Sequence, residues 1–127
     1  MQSVGGQVTY LKVQQIGQEG LEAIFRGITI GRYGHQFILT GVRGNRLYTD
    51  ESGQAFSVPI QEGEEIILNS SGALNYKLAR VRDNTKVIIT YLGKKVQTKG
   101  NFAGSEYHDC DVKQKQKELF MFHVILN

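Results

Sequence analysis

The sequence predicts a mainly β fold with one short helix, and three observations support this class. The 127 residues include fifteen glycines and one proline. Many glycines favour many turns, and few prolines leave the hydrogen bonding of strands uninterrupted. Valine, isoleucine, threonine and aromatic residues come in short bursts between these glycines. No long window repeats its apolar residues at helical spacing, and no internal repeat is present. The length fits a single domain with its own core.

The N-terminal third is predicted to contribute two strand segments. Val8, Tyr10 and Leu11 indicate a short strand or turn. The stretch LEAIFRGITIGRY then indicates a long strand. Its glycines at positions 27 and 31 allow the strand to bend or to form a bulge.

The middle of the chain is predicted to add four more strand segments: QFILTGV, NRLYTD, AFSVPI and EEIILN. Arg43 and Gly44 separate the first two segments, which predicts a hairpin turn between them. The turn ESGQ precedes the third segment. Pro59 favours an edge position or a strand end, because proline cannot donate to a strand ladder.

A short helix is predicted after these strands, because Leu74, Leu78 and Val81 have near-helical spacing. The cap candidates Ser70, Ser71 and Gly72 come directly before them. The next segment, TKVIITYLG, alternates with apolar residues on both faces, which predicts a central strand.

The returning strand EYHDCDVKQ is predicted to place alternate residues on opposite faces. Tyr107, Asp109 and Asp111 share one face, and His108 and Cys110 lie on the other with Val112.

The connection between the last two strands is longer than the two to five residues that a plain hairpin needs. The segment from Lys94 to Ser105 carries three lysines, an aromatic ring and two glycines. This composition predicts either a loop that closes over an anion or a loop without a binding role.

The order of these elements, with a bent first strand and one helix before the penultimate strand, predicts a five-stranded OB-fold-like barrel, a fold that often binds oligonucleotides. We expect residues 1–20 to form an N-terminal extension and residues 21–113 to form the OB-fold domain. The apolar segment 114–127 is expected to pack on the domain or on a dimer partner, because a free apolar strand is an aggregation hazard.

Charge is segregated along the chain. No carboxylate lies between residues 23 and 49 or between residues 84 and 105, and each of these windows holds four Lys or Arg residues. Residues 50–76 hold five carboxylates and no Lys or Arg. We therefore expect Arg26, Arg32 and Arg46 to share one basic surface with Lys94, Lys95 and Lys99. Glu62, Glu64 and Glu65 are expected to face elsewhere, because carboxylates repel a phosphate chain.

Other classes of function have little support in the sequence. The histidines His35, His108 and His123 lie far apart without the spacing of a metal site. We expect no enzymatic activity, no cofactor and no metal. The lone Cys110 forms no internal disulfide, which suits a cytoplasmic location. No apolar run reaches the ~20 residues of a membrane helix, so no membrane association is expected.

The segment LNYKLARVRDNTKVIITYLGKKVQTKGNFAGSEYHDCDV resembles the C-terminal half of the OB-fold single-stranded-DNA-binding proteins of bacteriophages. Family features include a helix, a strand of the type V-x-I-x-Y-x-G-K, a basic loop and a final strand with an aromatic residue or His. They match Val87, Ile89, Tyr91, Gly93, Lys94, Gly100 or Gly104, and His108. The upstream GITIGRYG and LYTDESGQAFSVPI are similar to the first strands of that family. The chain departs from bacterial single-stranded-DNA-binding proteins in lacking tryptophan and a flexible acidic tail.

This resemblance implies a surface that binds single-stranded nucleic acid, which requires cations along the phosphates and flat rings under the bases. The candidate nucleic-acid-binding residues are Arg26, Arg32, Tyr33, Arg46, Tyr48, Lys86, Tyr91, Lys94, Lys95, Lys99, Phe102 and Tyr107. We expect Phe25 and Phe56 in the core and Phe102 exposed in its loop, whereas Tyr91 fits either environment.

The expected function is sequence-independent single-stranded-DNA binding that protects strands in phage replication or recombination, in the cytoplasm of an infected bacterial host cell. Expected partners are single-stranded DNA, a second copy of the chain, and replication or recombination proteins. Two alternatives remain: a β-barrel protein-interaction module that binds through the apolar tail, and an RNA-binding OB domain. The 2′-hydroxyl group separates the RNA-binding alternative from DNA binding.

Overall fold

The computed structural model describes residues 8–32, 34–101 and 103–115. These residues form eight strands and one α-helix, together with a single 3-10 turn at Val13–Gln15. The elements are β1 (Val8–Leu11), β2 (Leu21–Gly31), β3 (Gly34–Arg43), β4 (Asn45–Thr49), β5 (Ala55–Pro59), β6 (Glu65–Asn69), α1 (Gly72–Leu78), β7 (Thr85–Val96) and β8 (Glu106–Gln114). The mainly β class is confirmed, and the one helix lies before the penultimate of these strands. The predicted strand number of five is too low.

Six of the strands form one mixed sheet in the order β1-β6-β3-β2-β7-β8. Strand β1 runs parallel to β6, and all other neighbours are antiparallel. Strand β7 lies between β2 and β8, which confirms the prediction of a central strand. Strands β4 and β5 form a separate two-stranded sheet, and an isolated bridge joins Arg46 of β4 to Ile16. No ladder joins β1 to β8 within the described residues, so a closed barrel is not found there.

The core lies on one face of the six-stranded sheet, where alternate apolar side chains are buried. It includes Leu21, Ala23, Phe25, Phe37, Leu39, Ile66, Leu68, Val87, Ile89 and Cys110 from the strands, and Leu74 and Leu78 from α1. Leu11, Val13 and Ile16 belong to the same core. Residues 8–20, the described part of the predicted N-terminal extension, therefore contribute to the core of the domain.

Helix α1 packs against β8. Ser71 begins the helix, and its hydroxyl accepts a hydrogen bond from the Leu74 amide, as an N-cap residue does. Lys77 donates a hydrogen bond from Nζ to the carbonyl oxygen of Cys110. The helix therefore covers part of the edge of the sheet at β8.

The predicted bend in the first long strand is present as β-bulges. The register of β2 against β3 shifts between Phe25 and Gly27, which leaves Arg26 as the extra residue. A second register shift between β2 and β3 leaves Val42 as the extra residue on β3. A third register shift, between β7 and β8, leaves Leu92 as the extra residue on β7. These bulges change which face the following side chains occupy.

The hairpin predicted at Arg43 and Gly44 is wrong, because β3 pairs with β2 and β6 while β4 pairs with β5. Gly44 has φ +148°, and a Cβ there would lie 2.9 Å from the carbonyl oxygen of Gly20. Only glycine fits this turn, which leads the chain away from the sheet. The Ile60 amide donates to the Gly44 carbonyl oxygen at 2.8 Å. The two ends of the β4–β5 segment are therefore held together.

The connection between β7 and β8 is shorter than predicted, because β7 continues to Val96. Lys94 and Lys95 therefore lie in the strand, and the loop comprises residues 97–105. Two backbone hydrogen bonds of 2.8 Å, Gln97 to Ser105 and Gly104 to Gln97, close its base. Residues 116–127, which contain most of the predicted apolar C-terminal segment, lie outside the described residues.

Candidate nucleic-acid interface

The face of the six-stranded sheet opposite the core, here called the outer face, carries a group of basic side chains. Cross-strand pairs identify the residues that lie on the outer face. Ile24 lies opposite Lys86, and Ile88 lies opposite both Glu22 and Lys113. The basic residues on this part of the outer face are Arg26, Arg43, Lys86, Lys113 and Lys115. Neighbouring strands thus bring together cations from separate parts of the chain.

Arg26 is held in place on this face by two side-chain hydrogen bonds. Its Nε donates to the Thr40 hydroxyl at 2.9 Å, and its Nη1 donates to the Asn84 Oδ1 at 2.7 Å. Because Arg26 is the extra residue of the bulge, its side chain lies next to Thr40 rather than in the core. The guanidinium group remains exposed and has defined neighbours.

A buried carboxylate lies among these cations. Glu22 is only 6% exposed. Its Oε1 lies 2.7 Å from Nη2 of Arg43, and its Oε2 lies 3.2 Å from Nζ of Lys115 and 3.7 Å from Nζ of Lys86. These four residues are called the Glu22 cluster below. One carboxylate therefore anchors three cations that come from three different strands or strand ends.

Burial works to raise the pKa of Glu22, but the hydrogen bond and charge of Lys115 and the charge of Arg43 outweigh it and hold the pKa below its usual value of 4.5. The carboxylate is therefore ionised at neutral pH. Its pairing with the cations stabilises the folded state.

This lowered pKa predicts how stability depends on pH. A carboxyl group with a lower pKa in the folded state contributes its full stabilisation above 4.5, its usual pKa, and loses it as the pH falls through the folded-state value. We expect the variant Glu22→Gln to be less stable than the parent at neutral pH and to approach it in acid. Urea unfolding of both proteins at neutral pH and at about pH 3 measures this difference. An equal difference at both pH values would contradict the assignment.

The outer face continues along the β7–β8 ribbon, where Lys95 lies opposite Tyr107. Alternate residues of β8 lie on this face. In chain order they are Tyr107, Asp109, Asp111 and Lys113. Lys95 Nζ lies 3.3 Å from the Asp109 carboxylate. The outer face is therefore of mixed charge between Lys113 and Lys95.

Lys94 points to the opposite face of this ribbon, since it pairs with His108. Its Nζ lies 3.6 Å from the carboxylate of Glu106. The prediction that Lys94 and Lys95 share one surface is therefore wrong. Lys99 lies in the exposed loop.

Tyr91 is partly buried and packs against the core. Its hydroxyl lies 2.7 Å from Nδ1 of His108, and the two rings are 5.6 Å apart. Cys110 is buried nearby, and this burial raises the pKa of its thiol. A raised pKa disfavours the thiolate, the form that acts as a nucleophile.

The β4–β5 hairpin carries a second group of interest, here called the hairpin stack. It consists of Arg46, Tyr48 and Phe56. The rings of Tyr48 and Phe56 are stacked with centroids 5.4 Å apart and an interplanar angle of 16°. The Arg46 guanidinium lies 4.2 Å from the Tyr48 centroid, and its Nη1 donates to the Tyr48 hydroxyl at 2.7 Å. The expectation that Phe56 lies in the core is wrong, because it is 47% exposed.

The turn of this hairpin is held by one carboxylate. Asp50 Oδ1 accepts hydrogen bonds from the amides of Ser52 and Gln54, both at 2.9 Å, and from the Ser52 hydroxyl at 2.7 Å. These bonds lower the pKa of Asp50, with the Ser52 side chain as the main cause. The turn therefore fixes the pairing that brings Tyr48 opposite Phe56.

A groove of about 550 Å³ lies between the Glu22 cluster and the base of the hairpin. Glu22, Arg43 and Ile88 line it from the sheet, and Asn45 and Pro59 line it from the hairpin. Arg46 and Tyr48 alternate with Asn45 along β4, and Phe56 of β5 pairs with Tyr48, so the stack occupies the other face of the hairpin. The outer face and the hairpin therefore meet at this groove, and the rings lie on the face beyond it.

The acidic segment is not fully separated from the basic residues. Glu65 pairs with Thr40, the residue that accepts a hydrogen bond from Arg26. The prediction that Glu65 faces elsewhere is therefore wrong. Glu64 lies at the β1 end of the sheet, where its carboxylate accepts hydrogen bonds from the Thr9 hydroxyl and the Gln61 amide.

The structure brings four predicted site residues to the outer face: Arg26, Lys86, Lys95 and Tyr107. Arg46 and Tyr48 lie together on the hairpin, and Arg32 lies in the exposed turn after β2. Tyr33 and Phe102 lie outside the described residues.

Sequence reasoning missed Glu22, Arg43, Lys113 and Lys115. The alternation along β8 was the available signal for two of these residues. The face that holds Tyr107, Asp109 and Asp111 continues to Lys113 and then to position 115.

Comparisons with protein-family models, with curated proteins and with solved structures each found no match. Among the described residues, no group of three or more His, Cys, Asp or Glu side chains is placed to hold a metal ion. The same part of the chain contains no helix with the length and apolar character needed to cross a membrane.

Proposed function

We propose that this protein binds single-stranded DNA, with the outer face following the phosphates and the hairpin stack supporting the bases. The observation that carries the proposal is the grouping of five cations, Arg26, Arg43, Lys86, Lys113 and Lys115, on one sheet face. Cations in a groove together with exposed rings are the two features by which single strands are held without sequence preference.

The charge balance of this face supports an anionic ligand. The same face holds four carboxylates, Glu22, Glu65, Asp109 and Asp111, and a sixth cation, Lys95, which pairs with Asp109. Six cations against four carboxylates leave a local excess of positive charge of about +2. Glu22 is buried, whereas the Arg43 side chain is 77% exposed. An approaching phosphate therefore meets the cations before it meets the central carboxylate.

The architecture in this proposal is OB-like. The order of a bulged first long strand, a helix and two final antiparallel strands agrees with the resemblance to phage single-stranded-DNA-binding proteins. On that resemblance, the protein protects single strands during phage replication or recombination in the cytoplasm of the infected cell.

The proposal is tested by fluorescence anisotropy of a labelled oligo-dT at two salt concentrations. Each phosphate contact adds about 0.7 to the slope of log affinity against log salt on a single strand. We expect binding that weakens steeply as salt increases. No binding at low salt would contradict the proposal. Competition by the same sequence as RNA and as duplex DNA separates single-stranded-DNA binding from its RNA-binding alternative.

A second function, that of a protein-interaction module, is favoured by one observation. Ile30 is 78% exposed and Ile28 is 50% exposed, near the end of the β2–β3 hairpin. Clustered exposed apolar side chains are typical of protein-binding surfaces. If oligo-dT does not bind and an Ile28→Ser, Ile30→Ser variant changes the oligomeric mass, this second function is the better one.

A further inference from the structure

The Glu22 cluster combines a buried anion with exposed cations. The Glu22 side chain is 8% exposed, whereas those of Lys86 and Lys115 are each 43% exposed. The three cations come from the end of β3, from β7 and from the residue after β8. No segment that is local in sequence could assemble this group, so the sheet itself brings it together.

The cluster has a net charge of about +2 at neutral pH, since three cations surround one carboxylate. The groove beside it has an open volume of about 550 Å³, and the carboxylate of Glu19 lines it together with Glu22, Arg43 and the apolar residues Ile88 and Pro59. With Glu19 included, three cations and two carboxylates leave a net charge of about +1 at the cluster and its groove. The apolar residues reduce the solvent screening of the charges next to them. This environment suits a group with one negative charge and several acceptor oxygens, such as a phosphodiester.

Long basic side chains lose conformational freedom when they bind a ligand, and this loss lowers affinity. Glu22 already restricts Arg43, Lys86 and Lys115 through contacts of 2.7 to 3.7 Å. A phosphate that binds their remaining donors therefore meets side chains that are already ordered. Arginine and lysine retain free donors for this purpose, with five and three N–H groups respectively.

We infer that the Glu22 cluster is a phosphate-binding subsite in which Arg43, Lys86 and Lys115 contact the anion and Glu22 is the positioning residue. The inference rests on the proposed function for the identity of the anion, a backbone phosphate of single-stranded DNA. This role of Glu22 is the opposite of what its charge alone would do. By charge alone the carboxylate would lower the affinity for an anion, whereas as a positioning residue it increases that affinity.

The first test uses the variant Glu22→Gln, which keeps the shape and the hydrogen-bonding oxygen and removes the negative charge. If charge alone matters, this variant binds oligo-dT more tightly than the parent, because the face becomes more positive. If Glu22 positions the cations, it binds roughly tenfold more weakly. Equal or tighter binding by a folded Glu22→Gln protein overturns the inference, and the melting temperature shows that the protein is folded.

A matched pair of charge variants provides the control. Lys115→Gln removes a cation of the cluster, and Lys12→Gln removes one next to β1, at the opposite edge of the sheet from β8. We expect the first to weaken oligo-dT binding by several-fold more than the second. Equal losses would mean that only the total charge matters.

A second measurement separates this inference from the proposed function. Inorganic phosphate is titrated into the ¹⁵N-labelled protein, with chloride added to keep the ionic strength constant. We expect saturable shifts of the backbone amides of Arg43, Lys86 and Lys115 in the parent and weaker ones in Glu22→Gln. If these shifts occur while oligo-dT does not bind, the subsite stands and the DNA-binding proposal fails. If oligo-dT binds and phosphate does not shift these amides, the subsite is wrong.

Discussion

Replacing Phe56 with alanine is expected to weaken oligo-dT binding by ~1–3 kcal/mol and to leave the salt dependence unchanged. Phe56 is 47% exposed, and its ring stacks on that of Tyr48, which the Arg46 guanidinium also contacts. The exposed ring of Phe56 is therefore a part of the stack that a base can reach. Removing the ring deletes a stacking surface but no charge. Anisotropy at several salt concentrations measures both quantities.

Leu47→Ala is the matched control for this change. Leu47 lies on the same hairpin and is also exposed, but it pairs with Ser57 on the opposite face. We expect its loss to change oligo-dT affinity little. If the two variants weaken binding equally, the effect comes from a loosened hairpin and not from stacking on the hairpin stack.

Replacing Phe37 with alanine is expected to lower the free energy of unfolding by ~3–5 kcal/mol. Phe37 and Phe25 are both buried, and their ring centroids are 6.3 Å apart in the core. The substitution removes a large apolar side chain and leaves a cavity between packed strands. Because a domain of this size has ~5–15 kcal/mol of stability in total, the loss is severe. The urea midpoint measures it.

The exposed Phe56 provides the comparison, since Phe56→Ala deletes the same side chain from the surface. We expect that variant to unfold close to the parent, within about 0.5–1 kcal/mol. A similar destabilisation by both substitutions would mean that Phe56 is covered in solution. That result would also argue against the use of its ring as a stacking surface.

The elements that local sequence specifies were predicted correctly. Helix α1 follows from the spacing of Leu74 and Leu78 and from the nearby cap candidates Ser70, Ser71 and Gly72, of which Ser71 is the N-cap. Strand β8 was predicted with the bounds and the alternation that it has, because charged and apolar residues alternate along it. The central position of β7 followed from its apolar residues on both faces.

The elements that depend on distant pairing were not predicted. The turn signal at Arg43 and Gly44 indicates a change of direction but not which strands pair across it, and β3 pairs with β6 instead of β4. The parallel pairing of β1 with β6 has no local signal at all. A turn residue fixes the local backbone, whereas the choice of neighbour depends on the packing of the whole sheet.

The candidate site was predicted in part for the same reason. Basic residues in the two charge windows include Arg26 and Lys86, which the sheet brings to one face. Glu22 lies just outside the first window, and nothing local shows that it is buried. Phe56 lies in an apolar strand, and its exposure follows only from the fact that β5 pairs with β4 alone.

The hydrogen bond between Ile60 and Gly44 has a consequence for protein engineering. Because it joins the entry and the exit of the β4–β5 segment at 2.8 Å, the hairpin leaves the domain and returns to the same point. Within the described residues, its two strands form no ladder with the six-stranded sheet. Its base is joined to the domain by the Gly17 amide, which donates to the Asn45 carbonyl oxygen at 2.9 Å, and by a bridge between Ile16 and Arg46. The part of the hairpin beyond these contacts, residues 47–58, can therefore be shortened, lengthened or exchanged without altering the strand order of the sheet. Chimeric proteins that differ only in residues 47–58 would place new recognition surfaces on a constant scaffold.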